Sequence, residues 1–102
     1  MVNIRIKEIS QPCVSQKLSW EEFVFRTGIN PLRLTELIEM DWINFDRVGE
    51  DHYLFPEKEI YKVQRLLRVC RDFELSTLAG MIIVDLIERV EQLERELSQF
   101  KF

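Results

Sequence analysis

The acidic side chains Glu36, Glu39 and Asp41 follow one another at spacings of three and two residues, with Arg33 just before them and Glu50–Asp51 a short way downstream. Carboxylates so placed can do ionic work. On a helix the first two share a face, and together they can meet the cations of a partner. Acid–base catalysis fits less well, because it needs an apolar pocket that sets two carboxyl groups apart. Adjacent acids such as Glu21–Glu22 and Glu50–Asp51 fall instead in cap-like and turn-like stretches. The other reactive groups are sparse. His52 is the one histidine, and Cys13 and Cys70 have no metal or redox spacing. Cys13 lies in a polar stretch without a base or metal partner to activate it. Gly28, Gly49 and Gly80 are isolated, so no phosphate-cradling loop is encoded. These residues predict a non-enzymatic protein with no cofactor and no metal.

The chain has 102 residues and a net charge of −4, the size of one domain with an appended element and the wrong sign for a general nucleic-acid binder. The charge is uneven. Ser19 to Phe55 holds eight acids against three bases, whereas Pro56 to Ser76 holds five bases against four acids. No signal peptide or apolar run of membrane-spanning length is present, so a cytoplasmic location is expected.

The stretch that must position the acids runs from Ser19 to Met40. Ser19 and Glu22 form a capping-box pattern, with Leu18 and Phe23 placed as a hydrophobic staple. Thr27–Gly28 stops the first helix at about Arg26, and Asn30–Pro31 caps and opens a second to about Met40. The result is a helix-turn-helix whose second helix buries Leu34, Leu37 and Ile38 and leaves Arg33, Glu36 and Glu39 outward. Trp42–Phe45 and His52–Phe55, around a polar turn with Gly49, predict a hairpin, the wing. Pro56 should open a third helix with a stripe of Ile60, Val63, Leu66, Leu67, Cys70 and Phe73. Upstream, alternation of Val2, Ile4 and Ile6 predicts an N-terminal strand, followed by a loop over 10–17.

Ser76 caps a last helix over about 77–98. Ile83, Leu86, Val90, Leu93, Leu97 and Phe100 step by three and four, which is a heptad seam and predicts a homodimer contact. Leu78, Ile82 and Ile87 broaden the first half, which is expected to pack on the domain as well. Asp85–Arg89 and Glu91–Arg95 are spaced as pairs along the helix. The fold class expected is mainly α: a winged helix-turn-helix with a small hairpin over residues 1–75, and a coiled-coil-like helix over 76–102.

The usual work of such a unit is DNA reading, which needs donors for base edges and cations for phosphates. The second helix offers Arg33 and Thr35 and opposes them with Glu36, Glu39 and Asp41, so a positively charged protein is the better match. Arg47 in the wing and the bases Lys58, Lys62, Arg65 and Arg68 speak for DNA.

The run Phe25-Arg26-Thr27-Gly28-Ile29-Asn30-Pro31 followed by Leu34, then a wing, Tyr53-Leu54-Phe55-Pro56, a helix and a long heptad helix, resembles MerR-type regulators. Those regulators carry an arginine and aromatic residues midway along the second helix, where this chain has Thr35, Glu36 and Leu37. It is more similar to the chaperone-modulator CbpM family, which is MerR-like with an acidic second helix and an alternating N-terminal strand. Val63-Gln64-Arg65, Leu67-Arg68 and Glu74-Leu75 before the last helix resemble that family's second half. The likeness spans about Trp20 to Leu97. It implies a homodimer that binds the J-domain of a CbpA- or DnaJ-like co-chaperone and keeps it from its DnaK-type chaperone. Arg33, Glu36, Glu39, Asp41, Glu50 and Asp51 are the candidate contacts, by charge and position. The alternative is a MerR-like DNA-binding regulator.

Overall fold

The computed structural model describes residues 16–100. The strand expected at Val2–Ile6, and Cys13, lie outside them. The elements are β1 (Lys17–Leu18), α1 (Trp20–Thr27), α2 (Pro31–Glu39), β2 (Asp46–Val48), β3 (His52–Pro56), α3 (Glu59–Phe73) and α4 (Thr77–Ser98). They form two compact units that divide between Val63 and Gln64, within α3.

The first unit is a winged helix-turn-helix. Ser19 caps α1 as expected: the Glu22 N–H donates to Ser19 Oγ at 3.2 Å, and the Ser19 N–H donates to Glu22 Oε1 at 3.1 Å. Gly28 ends α1 in the left-handed region at φ 77°. The buried Thr27 hydroxyl holds the turn, donating to Phe23 O at 2.7 Å and accepting from the Ile29 N–H at 3.2 Å. Asn30 Oδ1 then accepts from the Leu32 N–H at 2.8 Å to start α2. The staple pair Leu18 and Phe23 is buried, as are Ile29 and Leu34, which flank the second cap in the same way.

Three antiparallel strands lie in the order β1-β3-β2. The wing differs from the sequence reading. Its first strand is Asp46–Val48, not Trp42–Phe45, and Val48 pairs with His52 around a three-residue loop in which Gly49 has φ 71°. Trp42–Phe45 is a packed connection: Ile43 is buried, and the carboxylate of buried Glu59 accepts from the Asn44 N–H at 3.0 Å. Its aromatic and β-branched residues mimic a strand because both situations reward side-chain burial. β1 had no periodicity to betray it; Leu18 pairs with Phe55 and Lys17 with Pro56. The centre is aromatic, with Phe23 and Phe55 stacked at 4.4 Å and Trp20, Phe45 and Tyr53 around Phe55. Pro56 closes β3 rather than opening a helix, and α3 begins at Glu59.

In the second unit α3 buries Leu66, Val69 and Cys70, while Phe73 is exposed, so the apolar stripe takes in Val69, ends at Cys70 and leaves Phe73 out. Ser76 Oγ accepts from the Ala79 N–H at 3.2 Å to start α4. The part of α4 that packs is Gly80, Met81 and Val84; Leu78 and Ile82, expected to help, are exposed. Gly80 permits the close approach. A Cβ there would lie 2.4 Å from Cys70 Sγ and 2.9 Å from Leu66 Cδ1. Gly80→Ala should therefore destabilise the unit by about 1–2 kcal/mol, as overpacking outweighs the ~1 kcal/mol gain in helix propensity. Denaturant unfolding measures this, and Cys70→Ala in the same chain should recover part of the loss. Ile83, Leu86, Val90, Leu93 and Leu97 are left open along the rest of α4, from 39% exposed at Ile83 to 61% at Leu97.

Candidate protein-docking face

α2 is anchored by Leu34 and Leu37, both fully buried, and this fixes which side chains turn outward. Leu32, Thr35, Glu36 and Glu39 are exposed, and Arg33 is half-buried at the edge of the face. The Thr35 hydroxyl is occupied by its own helix, donating to Pro31 O at 3.1 Å, so it offers little to an incoming base edge.

The helix ends in a Schellman motif. The Trp42 N–H donates to Leu37 O at 2.9 Å and the Asp41 N–H to Ile38 O at 3.0 Å. Asp41 occupies the left-handed position, at φ 56°, where glycine is the usual residue. A carboxylate is thus set at the negative end of the helix dipole, an arrangement that favours a cation brought by something else. Glu50 and Asp51 lie in the exposed loop of the wing. Glu36 and Glu39 therefore share a helix face and Asp41 extends it, whereas Glu50 and Asp51 belong to a separate projection of the same unit.

The pairing of charges is lopsided. The bases of the first unit are largely engaged. Lys17 pairs with Asp46, Arg26 pairs with Glu57 at 3.3 Å, and Arg47 lies over the Tyr53 ring and donates to Glu50 O. Lys62 donates to Trp42 O at 2.8 Å and sits 4.4 Å from the Trp42 ring centroid. In the second unit Arg65 makes a two-pronged pair with Glu91, at 3.2 Å for each bond. Glu91 turns to Arg65 instead of to Arg95, and Arg89 donates to Gln92 Oε1 at 3.1 Å. Among the described residues, Glu36, Glu39, Asp41, Glu50 and Asp51 have no ion pair. Arg33, Lys58 and Arg68 are likewise unpaired there. His52 is an exposed strand residue. Among the described residues, no group of three or more His, Cys, Asp or Glu side chains is placed to hold a metal. No helix among them is long and apolar enough to cross a membrane.

A second exposed surface lies on α4. Ile83, Leu86, Ile87, Val90 and Glu91 line a shallow, almost wholly apolar trough. The first four stand at i, i+3, i+4 and i+7, the spacing of a hole that accepts one knob from a facing helix. Two features escaped the sequence reading. Leu32 and Met40 are exposed although helical apolar residues read as core, and Lys62 is held by an aromatic ring twenty residues away.

A family model described as MerR HTH family regulatory protein matches residues 18–101, from β1 through the end of α4. No curated protein matches the chain.

Proposed function

The chain belongs to the MerR HTH family of regulatory proteins, and from that premise we propose that it is a non-enzymatic, CbpM-like modulator that binds the J-domain of a CbpA- or DnaJ-like co-chaperone in the cytoplasm. Binding covers the basic surface that the J-domain would present to its DnaK-type chaperone, and so blocks that encounter. The observation that carries the reading is the charge pairing of the helix-turn-helix unit. Its carboxylates at Glu36, Glu39, Asp41, Glu50 and Asp51 are exposed and unpaired, while Lys17, Arg26, Arg47 and Lys62 are tied to partners within the unit. A DNA reader gains affinity by releasing counterions as its cations meet phosphates. Here only Arg33 and Lys58 among the unit's described cations could make that gain without breaking an existing contact, and the outward acids would repel the backbone. A basic protein surface meets the same acids with opposite sign.

In this reading residues 1–75 carry the docking surface and residues 76–102 pair two copies. The open seam on α4, with its knob-accepting trough, supports the second part.

The alternative, a MerR-like DNA-binding regulator, draws on Arg33, Lys58 and Arg68. One experiment separates the two. Purified protein is tested for capture of a purified J-domain and, beside it, for a gel shift on random duplex DNA at low salt. Capture of the J-domain with no shift is expected. A tight, steeply salt-dependent DNA complex without J-domain capture would replace the proposal by its alternative.

A further inference from the structure

Residues one turn apart along the outward side of α2 and its cap are Leu32, Glu36 and Met40. Leu32 is 78% exposed and Met40 50% exposed, so neither side chain is needed to complete the core that Leu34 and Leu37 build. Glu36, Glu39 and Asp41 surround them with unpaired carboxylates. A line of apolar, acidic and apolar groups has a definite complement: a helix carrying cations on either side of an apolar strip. Duplex DNA offers phosphates and no matching apolar strip there. A second copy of the same face would set carboxylate against carboxylate.

Resting on the J-domain reading above, we infer that Leu32 and Met40 are the holding contacts of the docking face, and that the element seated on them is a basic amphipathic helix. The carboxylates steer the partner from a distance and set the association rate. Leu32 and Met40 are desolvated only after contact, so they set the rate of leaving. The two contributions separate with salt, because apolar burial is not screened.

The test uses full-length protein and the variants Leu32→Ser, Met40→Gln and the two combined. Binding kinetics are measured against a purified J-domain and against a synthetic helical peptide of leucine and lysine. A lysine–glutamine peptide of equal charge is the control. Both substituted side chains are exposed, so thermal melts should match the parent's, and Leu32→Met should bind as the parent does. The double variant is expected to leave the J-domain at least tenfold faster, with association rate and salt dependence changed less than twofold. The leucine–lysine peptide should lose a similar factor and the control peptide none. A J-domain that binds the parent and leaves the double variant no faster overturns the inference while the functional reading stands. A J-domain that never binds, with the leucine–lysine peptide still weakened by the substitutions, overturns the functional reading and keeps the inference. If neither probe distinguishes variant from parent, or if the substitutions instead shift the balance between monomer and dimer, the inference falls.

Discussion

With Glu36→Lys and Glu39→Lys combined, association with a J-domain is expected to slow by about ten- to a hundredfold at low salt, with the dissociation rate little changed. Both positions are exposed on α2 and free of ion pairs, so the reversal breaks no contact inside the molecule. Its cost in folding should stay within about 0.5 kcal/mol. Lysine at position 39 even suits the carboxyl end of the helix, where the dipole favours a cation. The effect must therefore appear in encounter. Each exposed charge pair is worth only ~0–1 kcal/mol once formed, but the summed field acts before contact. Stopped-flow measurements over a range of salt would read it, and near 1 M salt, where the Debye length is about 3 Å, variant and parent should converge. An unchanged association rate at low salt would move the docking face away from α2.

Leu93→Asp is expected to give monomers by sedimentation where the parent gives dimers. Leu93 is 45% exposed in the single chain, so an aspartate there is tolerated by the monomer. In a paired seam the same side chain would face a second apolar helix, and an uncompensated buried charge costs roughly 3–5 kcal/mol. Each copy brings one such charge, so the dimer should weaken by a thousandfold or more. Far-ultraviolet circular dichroism and thermal melting of the variant should show an intact fold. A dimer that survives Leu93→Asp would mean that the open face of α4 serves something other than a second copy.

The sequence carried the features written in short, local codes. Ser19 with Glu22, Thr27 with Gly28, Asn30 with Pro31, and Ser76 each fix a helix end through atoms a few residues apart, and all four behave as those residue types dictate. The features it hid depend on distant partners. Trp42–Phe45 has strand composition, yet it is fixed by Glu59 and Lys62 on a later helix. Lys17–Leu18 is a strand only because Phe55 and Pro56 lie beside it. Phe73 carries the right spacing for the α3 stripe but is exposed, whereas Val69, outside the expected stripe, is buried. The candidate face shows the same division. Its acidity is plain from composition. That other cations of the same unit are already engaged is a tertiary fact, as in the Arg26–Glu57 pair, thirty-one residues apart. The buried side of α2 was legible in the spacing of Leu34, Leu37 and Ile38, but the apolar character of Leu32 and Met40 masked that both stand on the opposite side with Glu36.

The carboxylates beside Leu32 and Met40 also act on the protein when no partner is present. Two exposed apolar side chains on a helix invite like molecules to stick, and proteins commonly guard such places with charge. Glu36, Glu39 and Asp41 stand as gatekeepers. Two of these faces approaching one another carry the same sign and repel, so the surface stays open in a crowded solution. On the proposed reading, the charge that would draw a basic partner in is the same charge that would keep copies of the protein from closing on one another through this face.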